Sequence, residues 1–516
     1  MAFESLSEWF KVSAVKGGEK EAVVFIRGGK IETRISYQEL DRDSDRIANI
    51  FKELNVAKGD RVILFLQKSL IWVIAYLAIH KIGAIAVPLN AGFKKPEMEY
   101  LLKDAEAKLI LSGPDQTIMI RDIDPSQNNL SINTEKRYQD LRFFRSASEE
   151  IPSVNIEPID PGLIVYTSGT TGKPKGAVLT HKNLVHDAKN IIKLWEITSS
   201  DRLCHALPFS HVHGLCFALH TTLLAGSRIL MLDQFSPETV IGALSKKETE
   251  HACSLFMAVP AMYAKMMDYL GDNIPDFRHM RLWTSGSAPL LVKDFERIRR
   301  VFGKDPVERE GMSETGMNFS NPLHGKRKPG SIGLPLPGLR VRIVEPEAGQ
   351  DVTPGKTGEI WLKGPGITPG YWRKPKETAT AFKRGWFRTG DLGNVDGEGY
   401  YYLTDRIKHI IISGGENISP KEVESVIDRI PGVIESSVVG IPDEKWGEKV
   451  VAAVVPRRGA GLRREAIQNH CKEHLHNWKC PKEVIFLEEL PKNTMGKVLK
   501  EEIKKVFTQG LAEQGV

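Results

Sequence analysis

The chain has 516 residues, 41% of them hydrophobic and 26% charged. These are ordinary globular values, and they exclude disorder, a collagen helix or a coiled coil as a description of the whole; the length predicts about two to four structural units. Lys and Arg total 71 against 65 Asp and Glu, a net charge of +6, which spread over this length lacks the clustered basic stripe of a nucleic-acid binder and suits small polyanionic ligands.

The N-terminus, Met1-Ala-Phe-Glu-Ser5, is acidic where a secretory signal is basic, and no apolar run follows it. The most apolar stretch, 70–79, stops at His80 and Lys81 and is too short to span a bilayer. Cys204, Cys216, Cys253, Cys471 and Cys480 are odd in number and scattered, with no C-x-x-C spacing, so the cysteines support neither a disulfide framework nor a zinc site. A cytoplasmic protein in a reducing compartment is expected, with no nucleic-acid partner and no transmembrane segment.

Through roughly the first four hundred residues, β-rich runs alternate with amphipathic helical patterns, the rhythm of α/β layers around largely parallel sheets. Residues 62–66 then 70–82, 227–232 then 237–246, and 255–259 then 261–270 each read as strand then helix. The polar stretch 122–135 reads as a surface loop. From 343 to 399 short strands separated by Gly and Pro predict an antiparallel, turn-rich module. After Arg406 the order is strand 409–413, helix 420–430, strands 433–439 and 450–456, helix 464–476 and strand 483–487, which is the order of a ferredoxin-like unit. Ser419, Pro420 and Glu422 supply a helix start with a capping box. A domain boundary is therefore expected near 404–408, with an N-terminal domain over 1–404 and a C-terminal domain over 409–516.

The strongest local signal is Val165-Tyr-Thr-Ser-Gly-Thr-Thr-Gly-Lys-Pro-Lys-Gly176. Gly169 and Gly172 free backbone N–H groups to wrap an anion, Thr167, Ser168, Thr170 and Thr171 add hydroxyl donors, and Lys173 and Lys175 add charge, a composition that fits a polyphosphate. It is not a Walker A loop: two residues separate its glycines instead of four, and Pro174 stands where the Mg-binding Ser or Thr would be.

This segment resembles the phosphate-binding signature of the adenylate-forming superfamily of acyl-CoA synthetases, aryl-CoA ligases, luciferases and peptide-synthetase adenylation domains. The resemblance continues in order through Leu207-Pro-Phe-Ser-His211, Ser285-Gly-Ser-Ala-Pro289, Gly311-Met-Ser-Glu-Thr315, Gly370-Tyr-Trp372, Trp386-Phe-Arg-Thr-Gly-Asp391, Asp405-Arg-Ile-Lys408, Gly414-Gly-Glu-Asn417 and Pro491-Lys-Asn-Thr-Met-Gly-Lys497. It implies an α/β fold: a large N-terminal domain of two α/β sheets and a small β-rich module, then a smaller, mobile α+β domain swinging about a hinge at 405–408, centred on Lys408. It also implies two half-reactions, in which a carboxylate attacks the α-phosphate of MgATP to give acyl-adenylate and pyrophosphate, and the thiol of coenzyme A then displaces AMP.

By the same resemblance Glu314 is the Mg2+ ligand, Ser313 lies beside the α-phosphate, Lys497 is the catalytic lysine, and His211 belongs to the reacting end of the acyl pocket. Ser287, Ala288, Glu308, Arg309, Glu310, Gly311 and Met312 line the nucleotide, Asp391 and Arg406 hold the ribose, and Gly414 and Gly415 form a strand along the pantetheine path. Glu310 departs from the family, which usually has an aromatic packing on adenine there; a carboxylate can instead accept from the adenine amino group.

Around the acyl group the text is most similar to malonyl-CoA synthetases, in which a cation on the helix after Val-Pro and a serine of Ser-Gly-Ser-Ala hold the far carboxylate. Lys265, with Ser285, Gly286 and Ser287, occupies those positions, although the malonate enzymes carry Arg where this chain has Lys. Lys265 shares a helical stripe with Met262 and Tyr269, which suits partial burial; a snorkelling surface lysine is the alternative. The rival substrates are fatty or aryl acids in an apolar channel lined by Trp283, Phe209, Phe217 and Phe256. Carrier-protein loading is a further alternative, though the chain ends soon after Lys497 and leaves no room for a fused carrier. The oligomeric state is left open between monomer and homodimer.

Overall fold

The computed structural model describes residues 3–150, 153–167, 173–245, 252–494 and 496–513. The chain divides into two compact units, Met1–Arg340 with Leu362–Phe387, and Val341–Trp361 with Arg388–Val516.

The first unit is built on two large sheets. In one, Arg61–Phe65 is flanked by Ile85–Pro88 and Leu109–Ser112, and the order runs on through Pro161–Thr167, Lys175–Thr180 and Gly370–Tyr371 on one side and Asn129–Ser131 on the other. Its inner pairs are parallel, and only the pairs made by Lys175–Thr180 are antiparallel. The other sheet has nine strands, with six parallel strands from Val307–Met312 to Glu21–Arg27 at its centre. These central strands are buried along nearly their whole length because helices cover both faces, which is why they read as continuous apolar runs. Leu70–Lys81 is buried on all sides from Leu70 to His80, so its hydrophobicity marks an inner helix of the sheet layer. The stretch 122–135 is not all loop. Its apolar Leu130 joins Asn129–Ser131 to the edge of the first sheet, opposite Leu111.

The turn-rich antiparallel strands include Gly358–Lys363, Trp386–Val395 and Tyr401–Arg406, and the second unit goes on to carry the C-terminal α+β part. In that part the element order is the expected one, but the pairing is not ferredoxin-like. Gly447–Pro456 is central, forming a long hairpin with Val433–Asp443 on one side and a parallel pair with Glu483–Phe486 on the other. The first strand, Ile411–Ser413, is too short to run along it, and meets it only at Gly447 while pairing with Glu416–Ile418. The helix Pro420–Ile427 begins as its residues dictate, with Ser419 accepting from Glu422 N–H. The reciprocal half of the capping box is replaced by Asp405, whose carboxylate accepts from both the Ser419 hydroxyl and Lys421 N–H.

Candidate functional site

The glycine- and hydroxyl-rich stretch is flanked by two strands: Pro161–Thr167 and Lys175–Thr180 pair antiparallel, with Thr167 opposite Lys175. Ser168, Gly169, Thr170, Thr171 and Gly172 lie outside the described residues. Lys173 and Lys175 stand 5.7 Å and 5.5 Å from the rings of Tyr100 and Tyr371. Tyr100 donates to Pro174 O at 2.8 Å, and Tyr166 to the Asp104 carboxylate at 2.9 Å, which ties the hairpin to the neighbouring helix.

A second hairpin, Val307–Met312 with Gly316–Ser320, presents Ser313 and Glu314 at its tip. Asp187 pins that tip by accepting from Met317 N–H at 2.9 Å. Burial raises the Asp187 carboxyl to about 7. The Glu314 carboxylate is buried and accepts from the Tyr371 hydroxyl at 3.1 Å and the Thr167 hydroxyl at 3.4 Å. Burial, and then the Glu314 charge, push the Tyr371 phenol upward, so it stays a donor. The structure thus brings together Thr167, Lys175, Glu314 and Tyr371. The last of these lies in a motif whose residues carried no assigned role in the sequence.

Glu308 and Arg309 are buried on the same strand, and Glu310 to Ser313 are half-buried. The Glu310 carboxylate accepts from Asn318 Nδ2 at 3.1 Å. Glu308 pairs with Ser285 across the parallel strands, which brings Gly286, followed by Ser287 and Ala288, up to Arg309 at Gly286. A Cβ on Gly286 would lie 2.6 Å from Arg309 Cζ, so only glycine leaves room for this guanidinium. Ser287 has φ +70°, a conformation rare outside glycine, and its hydroxyl meets His213 Nδ1 at 3.0 Å.

His211 is half-buried, and burial lowers its imidazole to about 4. His213 is fully buried and held lower still for the same reason, with Arg309 adding to it. Both rings are therefore neutral at physiological pH. Lys265 is exposed on the helix Pro260–Leu270, against the partial burial its stripe suggested. The buried face there is carried by Met262, Tyr263, Met266 and Met267, and Tyr269 is exposed as well. Trp283 and Phe256 pack into a closed ring cluster with Tyr263, Phe277 and Phe302, and Phe209 stacks on Trp72 at 4.6 Å.

In the second unit Asp391 lies opposite Arg406 in the antiparallel pair, and Arg406 Nε reaches its carboxylate at 2.6 Å. Asp391 is buried, which raises its carboxyl, while Arg406 and then Lys497 oppose the shift. Lys497 is half-buried in a loop closed by Lys497 N–H on Asn493 Oδ1 and Asn493 N–H on Lys497 O. Lys408 occupies the short 3-10 turn Ile407–His409 directly after the Asp391-pairing strand. Gly414 and Gly415 are not a strand. With φ +61° and +82° they form the two-residue turn of a hairpin whose strands end at Ser413 and Glu416. Gly414 N–H donates to Trp446 O at 2.8 Å, and a Cβ at Gly414 would come within 3.0 Å of the Trp446 ring.

The Glu314 carboxylate thus stands beside the Thr167–Lys175 hairpin, and Asp391 pairs with Arg406 in the second unit. The chain belongs to the AMP-binding enzyme family, whose model matches residues 10–372, with the AMP-binding enzyme C-terminal domain at 422–497. It is an AMP-forming acid–thiol ligase, an acyl-CoA synthetase with ATP and CoA as substrates, and similar to the malonyl-CoA synthetase-like members. It is 33% identical to feruloyl-CoA synthase of Amycolatopsis sp., over 92% of this chain and 94% of that one. To the mitochondrial malonate–CoA ligase ACSF3 of Bos taurus it is 33% identical, over 93% and 90%. The crystal structure of ATP-bound MatB from Rhodopseudomonas palustris matches with a TM-score of 0.90 at 35% identity, covering 97% of this chain and 99% of that one. Among the described residues no helix is long and apolar enough to cross a membrane.

Proposed function

We propose that the acid joined to CoA is a short dicarboxylic acid of the malonate class. The observation that carries this reading is Arg309. Its side chain is buried, packed 4.8 Å over the Phe217 ring, and its Nε and Nη2 have no hydrogen-bond partner among the described residues. Burial lowers it only to about 10, so it stays charged. A buried guanidinium with open donors is costly until an anion meets it, and a carboxylate matches its fork.

Arg309 abuts Gly286, so a carboxylate on it would sit within the segment that also offers the Ser287 hydroxyl. Exposed Lys265 is then a second, solvated cation for the same end of the substrate. Two aromatics that an apolar channel would need, Trp283 and Phe256, are spent on the core instead, which supports the dicarboxylate over a fatty or aryl acid.

In this reading the near carboxylate attacks the α-phosphate of ATP. The Lys497 ammonium stabilises charge on the transferring phosphate, and neutral His211 faces the reacting carboxylate. Glu314, with the Thr167 and Tyr371 hydroxyls, offers an all-oxygen set that fits Mg2+; the ion, when bound, neutralises phosphate charge. Asp391 accepts from the ribose hydroxyls while Arg406 holds it in place. The Gly414–Gly415 turn lets backbone approach the pantetheine arm.

Thioester formation on malonate, octanoate and benzoate tests the substrate. Malonate turnover is expected, with Arg309→Met losing about 2–5 kcal/mol of transition-state binding, roughly 30- to 5,000-fold in kcat/KM. Robust turnover of octanoate or benzoate with none of malonate overturns the reading. Offering acyl-carrier protein in place of CoA checks the acceptor.

A further inference from the structure

The cysteines point to no metal, but the helix Arg464–His474 does. His470, Glu473 and His474 stand at positions i, i+3 and i+4, hence on one face, and one ligand atom of each lies within 4.8 Å of the other two. The two imidazoles lie against each other, tilted by 32°, with ring centroids 4.2 Å apart.

Two further observations prepare this cluster for an ion. His474 Nδ1 lies 2.9 Å from His470 O. A carbonyl can only accept, so that nitrogen carries the proton and the neutral ring keeps its Nε2 lone pair free; this is how metal-bound histidines are commonly oriented. His470 Nε2 is buried and has no hydrogen-bond partner among the described residues, an open polar atom on the half-buried side of the cluster. Neighbouring Cys471 faces the core, fully buried, and so lies on the other side of the helix from this cluster.

We propose that His470, Glu473 and His474 form a site for a divalent transition-metal ion, Zn2+ above all, completed by water. Two imidazoles and one carboxylate suit Zn2+, and bind Cu2+ still more tightly by the general order of affinities. They offer little to Mg2+, which prefers an oxygen shell. The ion would cross-link the last turn of this helix, stabilise the second unit, and act independently of MgATP.

The full chain is titrated calorimetrically with Zn2+ alone, and with Co2+ followed by its visible absorption, with Mg2+ as control. One saturable Zn2+ or Co2+ per chain is expected. His470→Ala and His474→Ala should each weaken it by roughly tenfold or more, and Glu473→Gln by less. Glu473 and His474 are exposed and His470 is half-buried, so the metal-free variants should melt close to the wild type, and Zn2+ should raise the melting temperature of the wild type alone. Absence of saturable binding, or binding and stabilisation undiminished in the His470→Ala/His474→Ala double variant, overturns the proposal.

Discussion

His213 Nδ1 stands 3.0 Å from the hydroxyl of Ser287, and Ser287 adopts φ +70° to meet it. A left-handed conformation costs a non-glycine residue about 1–2 kcal/mol, and such strain concentrates at functional sites. Glycine relieves the strain and alanine keeps it, while both remove the hydroxyl. Ser287→Gly should therefore be about 1 kcal/mol more stable than Ser287→Ala in denaturant unfolding. Both should lose malonate-dependent pyrophosphate exchange. A Ser287→Gly variant as active as the wild type would show that the hydroxyl does not touch substrate.

The Tyr371 hydroxyl donates to Glu314 at 3.1 Å while its ring lies under Lys175. Tyr371→Phe keeps the ring and removes the donor that orients the carboxylate. Losing such a supporting contact should raise the Mg2+ concentration for half-maximal pyrophosphate exchange about tenfold, and Glu314→Gln should raise it further. The KM for the acid should not move. A change in that KM with an unaltered Mg2+ requirement would detach Glu314 from the metal.

Much of this was legible in the residues themselves. The strand-then-helix pairs survive with their ends shifted by a residue or so, because apolar β-runs and helical stripes report burial directly. Asp391 and Arg406 could be paired from their motifs, and the antiparallel register between them supplies the reason. What the text hid depends on distant chain segments. Asp187 pins the Glu314 hairpin from a helix far away in sequence, and nothing local marks it. By resemblance Arg309 is only one of the residues lining the nucleotide, and its burial against Gly286, just after the adjacent strand, is seen only in the fold. Gly414 and Gly415 are expected as strand from the family resemblance, yet two consecutive glycines with positive φ make the turn. His213, by contrast, was visible as the second histidine of Ser210-His-Val-His213.

His80, His181 and His220 gather around Tyr76 inside the first unit. The His80 ring meets Tyr76 edge-on at 4.6 Å and His181 at 5.4 Å, and Tyr76 shares a 2.7 Å hydrogen bond with His220. Burial lowers all three imidazoles, His181 to about 4 and His220 to about 3. The unfolded chain therefore binds protons below pH 6.5 that the native protein refuses. Stability is complete above 6.5 and falls as pH drops, by about 3 kcal/mol for a group such as His181 by pH 4. Both His80 nitrogens lack partners among the described residues, so His80→Phe should leave stability at pH 7 within about 1 kcal/mol of wild type and reduce the acid slope by one proton. Urea unfolding between pH 7.5 and 4.5 reads both, and a large loss at pH 7 would reveal a polar partner for His80.

Lys68 donates to His205 O at 2.9 Å and meets His205 Nδ1 at 3.0 Å, while His205 Nε2 reaches Gly214 O at 2.8 Å. Since the Gly214 carbonyl accepts, His205 carries its proton on Nε2 and receives the Lys68 hydrogen bond on Nδ1. The relay thus ends on the residue after His213. Burial lowers Lys68 to about 7, with Cys204 and Asp233 opposing weakly, and no carboxylate among the described residues forms an ion pair with it. Between pH 7 and 10.5 the unfolded chain holds this proton and the native protein does not, so stability rises with pH across that window; below pH 7 the buried ammonium is a cost. Lys68→Met should abolish the rise while lowering kcat/KM for the acid, because His205 and the His213–Ser287 contact lose their support. Lys68→Arg should keep the charge but lose the fit. Chemical denaturation at pH 6.5, 8 and 9.5, set beside the pH profile of kcat/KM, decides it: a Lys68→Met protein with the wild-type slope and wild-type kcat/KM would remove Lys68 from the acyl site.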